Sequence, residues 1–151
     1  MMTALKLYGI KACVFDAYGT LFDVNSASRA AQDSLGEKWQ PLADLWRSKQ
    51  LQYTWLRGLS GRHADFWQVT GDSLDFALAT LQLKDSMLRD RLMKLYLVLD
   101  AYPEVPDMLK RLKAAGLKLE FSPTARLQCS PRQQPTQASP NCSTQFCLSR
   151  K

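Results

Sequence analysis

Apolar and polar positions along the 151-residue chain fall into two textures that change near Leu119. The first apolar run, Ala12 to Phe15, leads into Asp16-Ala17-Tyr18-Gly19 and predicts a buried strand ending in a glycine-containing loop. Helical patterning follows. Asn25 stands where it can cap a short helix ending near Gly36. The segment "PLADLWRSKQLQYTWLRGL" then carries Leu45, Trp46, Lys49, Tyr53 and Leu56 at near-helical spacing before a break at Gly58 to Gly61. Asp72 opens a further helix with Leu74, Ala77, Leu78 and Leu81 on one face, and Asp85 opens another with Leu88, Leu92, Leu95 and Leu99. After "AYPEVP", the amphipathic "DMLKRLKAAG" presents Met108, Leu109 and Leu112 and closes at Gly116, the position after a helix that favours glycine. "LKLEF" then predicts a second strand. The order strand, helical bundle, helix, strand predicts an α/β fold.

From Phe121 to Lys151 the pattern is lost. Ser, Thr, Pro and Gln make up 17 of these 31 residues, and Gly, Val, Ile, Tyr, Trp, Asp and Glu are absent. The remaining apolar residues recur with no period, so the segment buries too little surface to offset the entropy of ordering and is expected to be a disordered tail.

Charge and cysteine usage follow the same division. Arg126, Arg132, Arg150 and Lys151 lie in the tail with no acidic neighbour and account for four of the net six positive charges. Elsewhere basic residues alternate with acids, without the stripe or motif that a nucleic-acid partner requires. Cys13 lies in the first strand, while Cys129, Cys142 and Cys147 fall in the tail without metal-ligand spacing, so neither zinc nor a disulfide is expected. No run is long and apolar enough for a membrane span, and the N-terminus lacks the apolar stretch of a signal peptide. A cytoplasmic protein is the expectation.

Chemistry concentrates in "VFDAYGTLFD". An aspartate at the carboxyl end of the first strand of an open α/β sheet sits at the crevice where such folds bind ligands, beside a turn whose backbone amides can hold an anion. Asp16 is therefore the candidate nucleophile, and the competing reading is an aspartate that merely caps a turn.

Three segments, "FDAYGTLFDVNSA", "LADLWRSKQLQYTWLRGL" and "DAYPEVPDMLKRLKAAGLKL", resemble in order and separation the L-2-haloacid dehalogenases of the haloacid dehalogenase superfamily. The resemblance spans Lys11 to Leu119. It implies a Rossmann-like core, incomplete in this chain, with an inserted α-helical cap. Residues 1–24 would form the first core strand and nucleophile loop, 25–101 the cap, 102–120 the return to the core, and 121–151 the aberrant tail.

The activity implied is hydrolytic dehalogenation of L-2-haloalkanoic acids, without metal or cofactor, in a homodimer that is not expected to be stable in this chain. Asp16 would be the nucleophile, Thr20 its hydrogen-bonding partner, and Arg47 the cation receiving the halide. The amides of Ala17 and Tyr18 would hold the substrate carboxylate, with Tyr18, Leu51 and Phe66 at apolar pocket positions. Core packing is the alternative for those three, and a surface arginine for Arg47. Ser48 departs from relatives that carry a longer amide there, and His63 matches no catalytic position. Magnesium-dependent phosphatases of the same superfamily are the rival reading, but they place a second aspartate where this chain has Tyr18. A phenol is a poor general acid for an ester leaving group. A further alternative is a non-catalytic fragment that keeps only the contacts of the cap.

The resemblance also implies a strand ending Ile-Leu-Ser-Asn-Gly-Ser-Pro after "GLKL", where this chain has "EFSPTARL". Codons for Glu120 to Leu127, read one base earlier, permit Gly-Ile-Leu-Ser-Asn-Gly-Ser-Pro. Each of the last five matches has roughly one chance in four, so coincidence is on the order of one in a thousand for a chosen frame. A shifted reading frame after Leu119 is the expectation. It removes the Ser-Asn motif, a lysine that assists the nucleophile and the residues that position water, so the chain as written is expected to be inactive.

Overall fold

A computed structural model describes residues 9–121. Residues 1–8, and the tail and shifted motif apart from Glu120 and Phe121, lie outside the described residues. Ala12–Phe15 forms β1 and Lys118–Phe121 forms β2, paired in parallel with Ala12 opposite Lys118 and Phe15 opposite Phe121. Phe121, the last residue of the predicted strand and the first of the changed tail, completes β2, and its ring lies 6.4 Å from that of Phe15. Both strands lie partly open, with Val14 72% exposed, so β1 is less buried than its apolar sequence predicts.

Between the strands run six helices: α1 (Ser26–Ala30), α2 (Gln32–Leu35), α3 (Trp39–Leu59), α4 (Phe66–Thr80), α5 (Ser86–Tyr96) and α6 (Val105–Ala114). A 3₁₀ turn over Gly36–Lys38 joins α2 to α3. Among the described residues no helix is long and apolar enough to cross a membrane.

The helical patterning places the core, with three differences. Asn25 precedes α1 but makes no side-chain cap bond. Asp23 does that work instead: its Oδ1 accepts from the Asn25 amide at 2.9 Å and its carbonyl from Ser26 Oγ at 2.7 Å. The fourth helix starts at Phe66 and not at Asp72. Asp65 caps it by accepting from the Gln68 amide, whereas Asp72 lies inside the helix, 2.6 Å from Arg57. On α3 the buried stripe is Leu42, Ala43, Trp46 and Gln50, while Leu56 at the far end is 62% exposed. Asp85 caps α5 as expected, accepting from the Met87 and Leu88 amides. Gly116, at φ +78°, ends α6 with Leu117 N–H bonded to the Leu112 carbonyl.

Leu42, Leu74, Leu92 and Ala77, none exposed at all, form the centre of the helical core with Trp46, Leu88 and Tyr96 around them. The chain leaves and rejoins the strand layer at one point. Asp23 N–H donates to the Asp100 carbonyl at 2.8 Å, Tyr102 N–H to the Leu21 carbonyl at 3.1 Å, and Asp100 N–H to Ser26 Oγ at 3.1 Å. These bonds fasten both ends of the bundle beside the loop that follows β1.

Candidate active site

The loop after β1 is organised by one carbonyl. Ala17 O accepts from the amides of Leu21 and Phe22, each at 2.9 Å, and more weakly from Thr20 at 3.4 Å. This folds the chain back so that Thr20 Oγ1 donates to Asp16 Oδ2 at 3.2 Å, with both residues exposed at the end of β1. Ala17 and Tyr18 are buried, and Gly19 turns the loop at φ +88°.

Tyr18 points into the bundle. Its ring stacks on Phe66 at 4.6 Å and on Tyr96 at 5.8 Å, while Trp46 lies 5.0 Å from Tyr96. The Trp46 indole N–H donates to the Thr70 carbonyl at 2.9 Å. Burial pushes the Tyr96 phenol above its ordinary pKa, against the opposing effects of its Gln50 and Arg47 neighbours.

Arg47 extends from α3 onto the loop after β1. Its Nη2 donates to the Tyr18 carbonyl at 2.8 Å and its Nη1 to Gln50 Oε1 at 2.8 Å. A Cβ at Gly19 would stand 3.4 Å from Nη2, in ordinary van der Waals contact, so the guanidinium lies directly against the loop. Arg29, Arg57, Arg89 and Arg91 each meet an aspartate. Among the described residues no carboxylate pairs with Arg47, which is held by two neutral oxygens and so keeps its charge available to an anion.

The structure therefore brings Asp16, Ala17, Tyr18, Thr20, Arg47 and Phe66 together around one loop. Leu51, one turn beyond Arg47 on α3, is half-buried. A small hollow beside Arg47 is lined by Val24, Ala43, Trp46, Gln50 and Tyr96, and not by Leu51 or Phe66. Ser48 is exposed and accepts a long 3.5 Å bond from Gln52 Nε2, and His63 is exposed in the loop between α3 and α4. Among the described residues no group of three His, Cys, Asp or Glu side chains could hold a metal ion.

Sequence patterning misses Gln50, Thr70 and Tyr96. The available signal is a glutamine in line with Leu42, Ala43 and Trp46 on α3, but its partners lie 20 and 46 residues away.

Residues 10–122 match the family described as haloacid dehalogenase-like hydrolase. The chain is 50% identical over 108 residues to (S)-2-haloacid dehalogenase 4A of Burkholderia cepacia, covering 71% of this chain and 47% of that protein. Its fold is similar to that of a crystallised dehalogenase at 46% identity and a TM-score of 0.74, covering 77% of this chain and 52% of the other. It is also similar, at 40% identity and a TM-score of 0.68, to L-2-haloacid dehalogenase from Xanthobacter autotrophicus with chloropropionic acid covalently bound, covering 78% of this chain and 50% of that one. The chain spans about half the length of the curated relatives it matches.

Proposed function

Since the chain belongs to the haloacid dehalogenase-like hydrolase family, we propose that it carries the nucleophile and halide-receiving half of an (S)-2-haloacid dehalogenase. The observation that carries this reading is the uncompensated Arg47 guanidinium anchored to the carbonyl of Tyr18, two residues from Asp16. In the first step an Asp16 carboxylate oxygen attacks C2 of an L-2-haloalkanoate from the side opposite the halogen. The carbon–halogen bond breaks, the halide leaves with the bonding pair toward Arg47, and C2 inverts. Water then adds at the Asp16 carbonyl carbon. Ester cleavage yields a D-2-hydroxy acid, a proton and the regenerated carboxylate. The covalently bound chloropropionic acid of the Xanthobacter autotrophicus relative supports a covalent route.

Thr20 orients the Asp16 oxygen it bonds, and the Ala17 and Tyr18 amides receive the substrate carboxylate. Tyr18, Phe66 and Leu51 exclude water from the halide's path. The phosphatase alternative lacks support, because Tyr18 stands at the general-acid position with its ring packed against Phe66 and Tyr96. Within this reading residues 25–101 are the cap, a division supported by the bonds that fasten Asp23 to Asp100 and Tyr102 to Leu21. Of the described residues, 9–24 and 102–120 belong to the core in this reading. A homodimer is part of the proposal, supported by the exposed Trp55, Leu56 and Leu59 at the end of α3, and so is a cytoplasmic location.

Halide release from L-2-chloropropionate tests the reading. A protein restored to the shifted frame after Leu119 should release halide from the L isomer and leave the D isomer intact, while the 151-residue chain releases none. Hydrolysis of a phosphate ester in place of the haloacid would contradict it.

A further inference from the structure

Arg47 is held from behind by a polar group that the catalytic reading does not use. Gln50 lies one turn further along α3, only 2% exposed in an otherwise apolar stripe. Its Oε1 accepts from Arg47 Nη1 at 2.8 Å, and its Nε2 donates to Thr70 Oγ1 at 2.7 Å. The Thr70 hydroxyl has a single proton and gives it to the Phe66 carbonyl at 2.7 Å, so toward Gln50 its oxygen can only accept. That requirement turns the amide with its NH₂ toward Thr70 and its oxygen toward Arg47. The opposite orientation would set NH₂ against guanidinium N–H, leaving donors facing donors. Tyr96 OH adds a third contact, 3.1 Å from Nε2 and 3.2 Å from Oε1.

Resting on the dehalogenase reading above, we infer that Gln50 is a positioning residue for Arg47: Thr70 and Tyr96 fix its amide, and the amide fixes the guanidinium without neutralising it. A carboxylate in the same place would hold Arg47 as firmly but cancel the charge that the departing halide needs. Glutamine supplies the same acceptor geometry with no charge. The bond from Thr70 to the Phe66 carbonyl also ties this orientation to the residue stacked on Tyr18. The halide cation and the apolar wall of the site are thereby set by one network spanning α3, α4 and α5.

Two variants of the 151-residue chain separate geometry from charge. Gln50→Met keeps the length of the side chain and loses the acceptor; Gln50→Glu keeps the acceptor and adds a charge. In nitrogen-15 arginine spectra the Arg47 Nη signals should be resolved in the unmodified chain, because two bonds hinder rotation about Cζ–Nε. They should remain resolved in Gln50→Glu and average in Gln50→Met.

Bromide titration, read through quenching of the adjacent Trp46, then tests the charge. Gln50→Glu should weaken bromide binding at neutral pH by roughly tenfold or more, and affinity should return as acid protonates the introduced carboxylate. The charged and titratable groups around this position are Arg47 on α3, Tyr96 on α5 and Asp16 on the loop that Arg47 reaches, while α4 contributes the Thr70 hydroxyl. All three are present in both chains, so the recovery is read as the ratio of the Gln50→Glu affinity to that of the unmodified chain at each pH, which reports the introduced group. A role confined to packing would lower affinity at every pH alike.

Arg47 signals unchanged in Gln50→Met, or a Gln50→Glu affinity equal to that of the unmodified chain at all pH values, would overturn the inference. If the Arg47 signals depend on Gln50 but the unmodified chain shows no saturable bromide response, the hold of Gln50 on Arg47 stands and the halide role of Arg47 falls.

Discussion

Replacing Gly19 by alanine separates two reasons for glycine in the loop after β1. The backbone there has φ +88°, and the added methyl would meet Arg47 Nη2 at 3.4 Å, at the near edge of ordinary van der Waals contact. Left-handed backbone costs an L residue about 1–2 kcal/mol. Alanine also narrows the unfolded ensemble, which offsets about 0.4–1 kcal/mol of that loss. The net expectation is a destabilisation of about 1 kcal/mol, with Arg47 undisturbed. Gly116→Ala is the internal reference, since its φ is +78° and nothing lies within 4 Å of the added methyl. Urea unfolding followed by circular dichroism at 222 nm should therefore give nearly equal losses for the two variants, with unchanged m-values. A loss at Gly19 more than about 2 kcal/mol beyond that at Gly116, on the overpacking scale of 1–3 kcal/mol, would refute the contact geometry assigned to Arg47 and the loop.

In the frame-restored protein, Arg47→Ala should lower kcat by about 10²–10³-fold because the developing halide loses its cation, and Arg47→Lys should recover part of that loss in the same assay. Leu74→Ala, at a site with no exposure, should destabilise by about 3 kcal/mol in urea unfolding. Gln82 ends α4 with a positive φ of 56°, so Gln82→Gly should stabilise by about 0.5–1 kcal/mol in the same measurement. The raised pKa of Tyr96 means that the folded state keeps its phenol proton where the unfolded state has lost it. Its contribution to stability is full below the ordinary phenol pKa of about 10 and falls as pH rises above it, and Tyr96→Phe should remove that alkaline slope in urea titrations. Resequencing across the Leu119 codon should find a single-base change that opens a frame encoding the Ser-Asn motif and a later lysine, and a restored frame meeting an early stop would remove that account.

Local signals carry as far as single-element physics reaches. The strand signal of β1, the Asp85 cap and the terminal Gly116 each act within a few residues, and each element forms where its local sequence places it, although β1 stays more exposed than its apolar run predicts. Gly71 explains the misplaced start of α4. It stands directly before Asp72 and is buried inside the helix, where a Cβ would come within 3.3 Å of Arg89 Nη2. Glycine there serves the packing of α4 against α5. Leu56 illustrates the opposite error, a hydrophobe at helical spacing that lies off the buried stripe of α3 and stays exposed. Asp16, Thr20 and Arg47 are legible because they sit in recognisable local segments, but the Gln50 network consists of polar residues whose burial is possible only once three helices meet.

The central claim is that Asp16 attacks carbon and is afterwards regenerated by water at its own carbonyl. A single turnover of the frame-restored protein on L-2-chloropropionate in oxygen-18 water, with enzyme in excess, tests it most directly. Mass spectrometry of the peptide containing Asp16 should find one heavy oxygen in the Asp16 carboxylate and none in the D-lactate released. Heavy oxygen in the lactate on that first turnover, with Asp16 unlabelled, would mean that water attacks the substrate directly and would contradict the account.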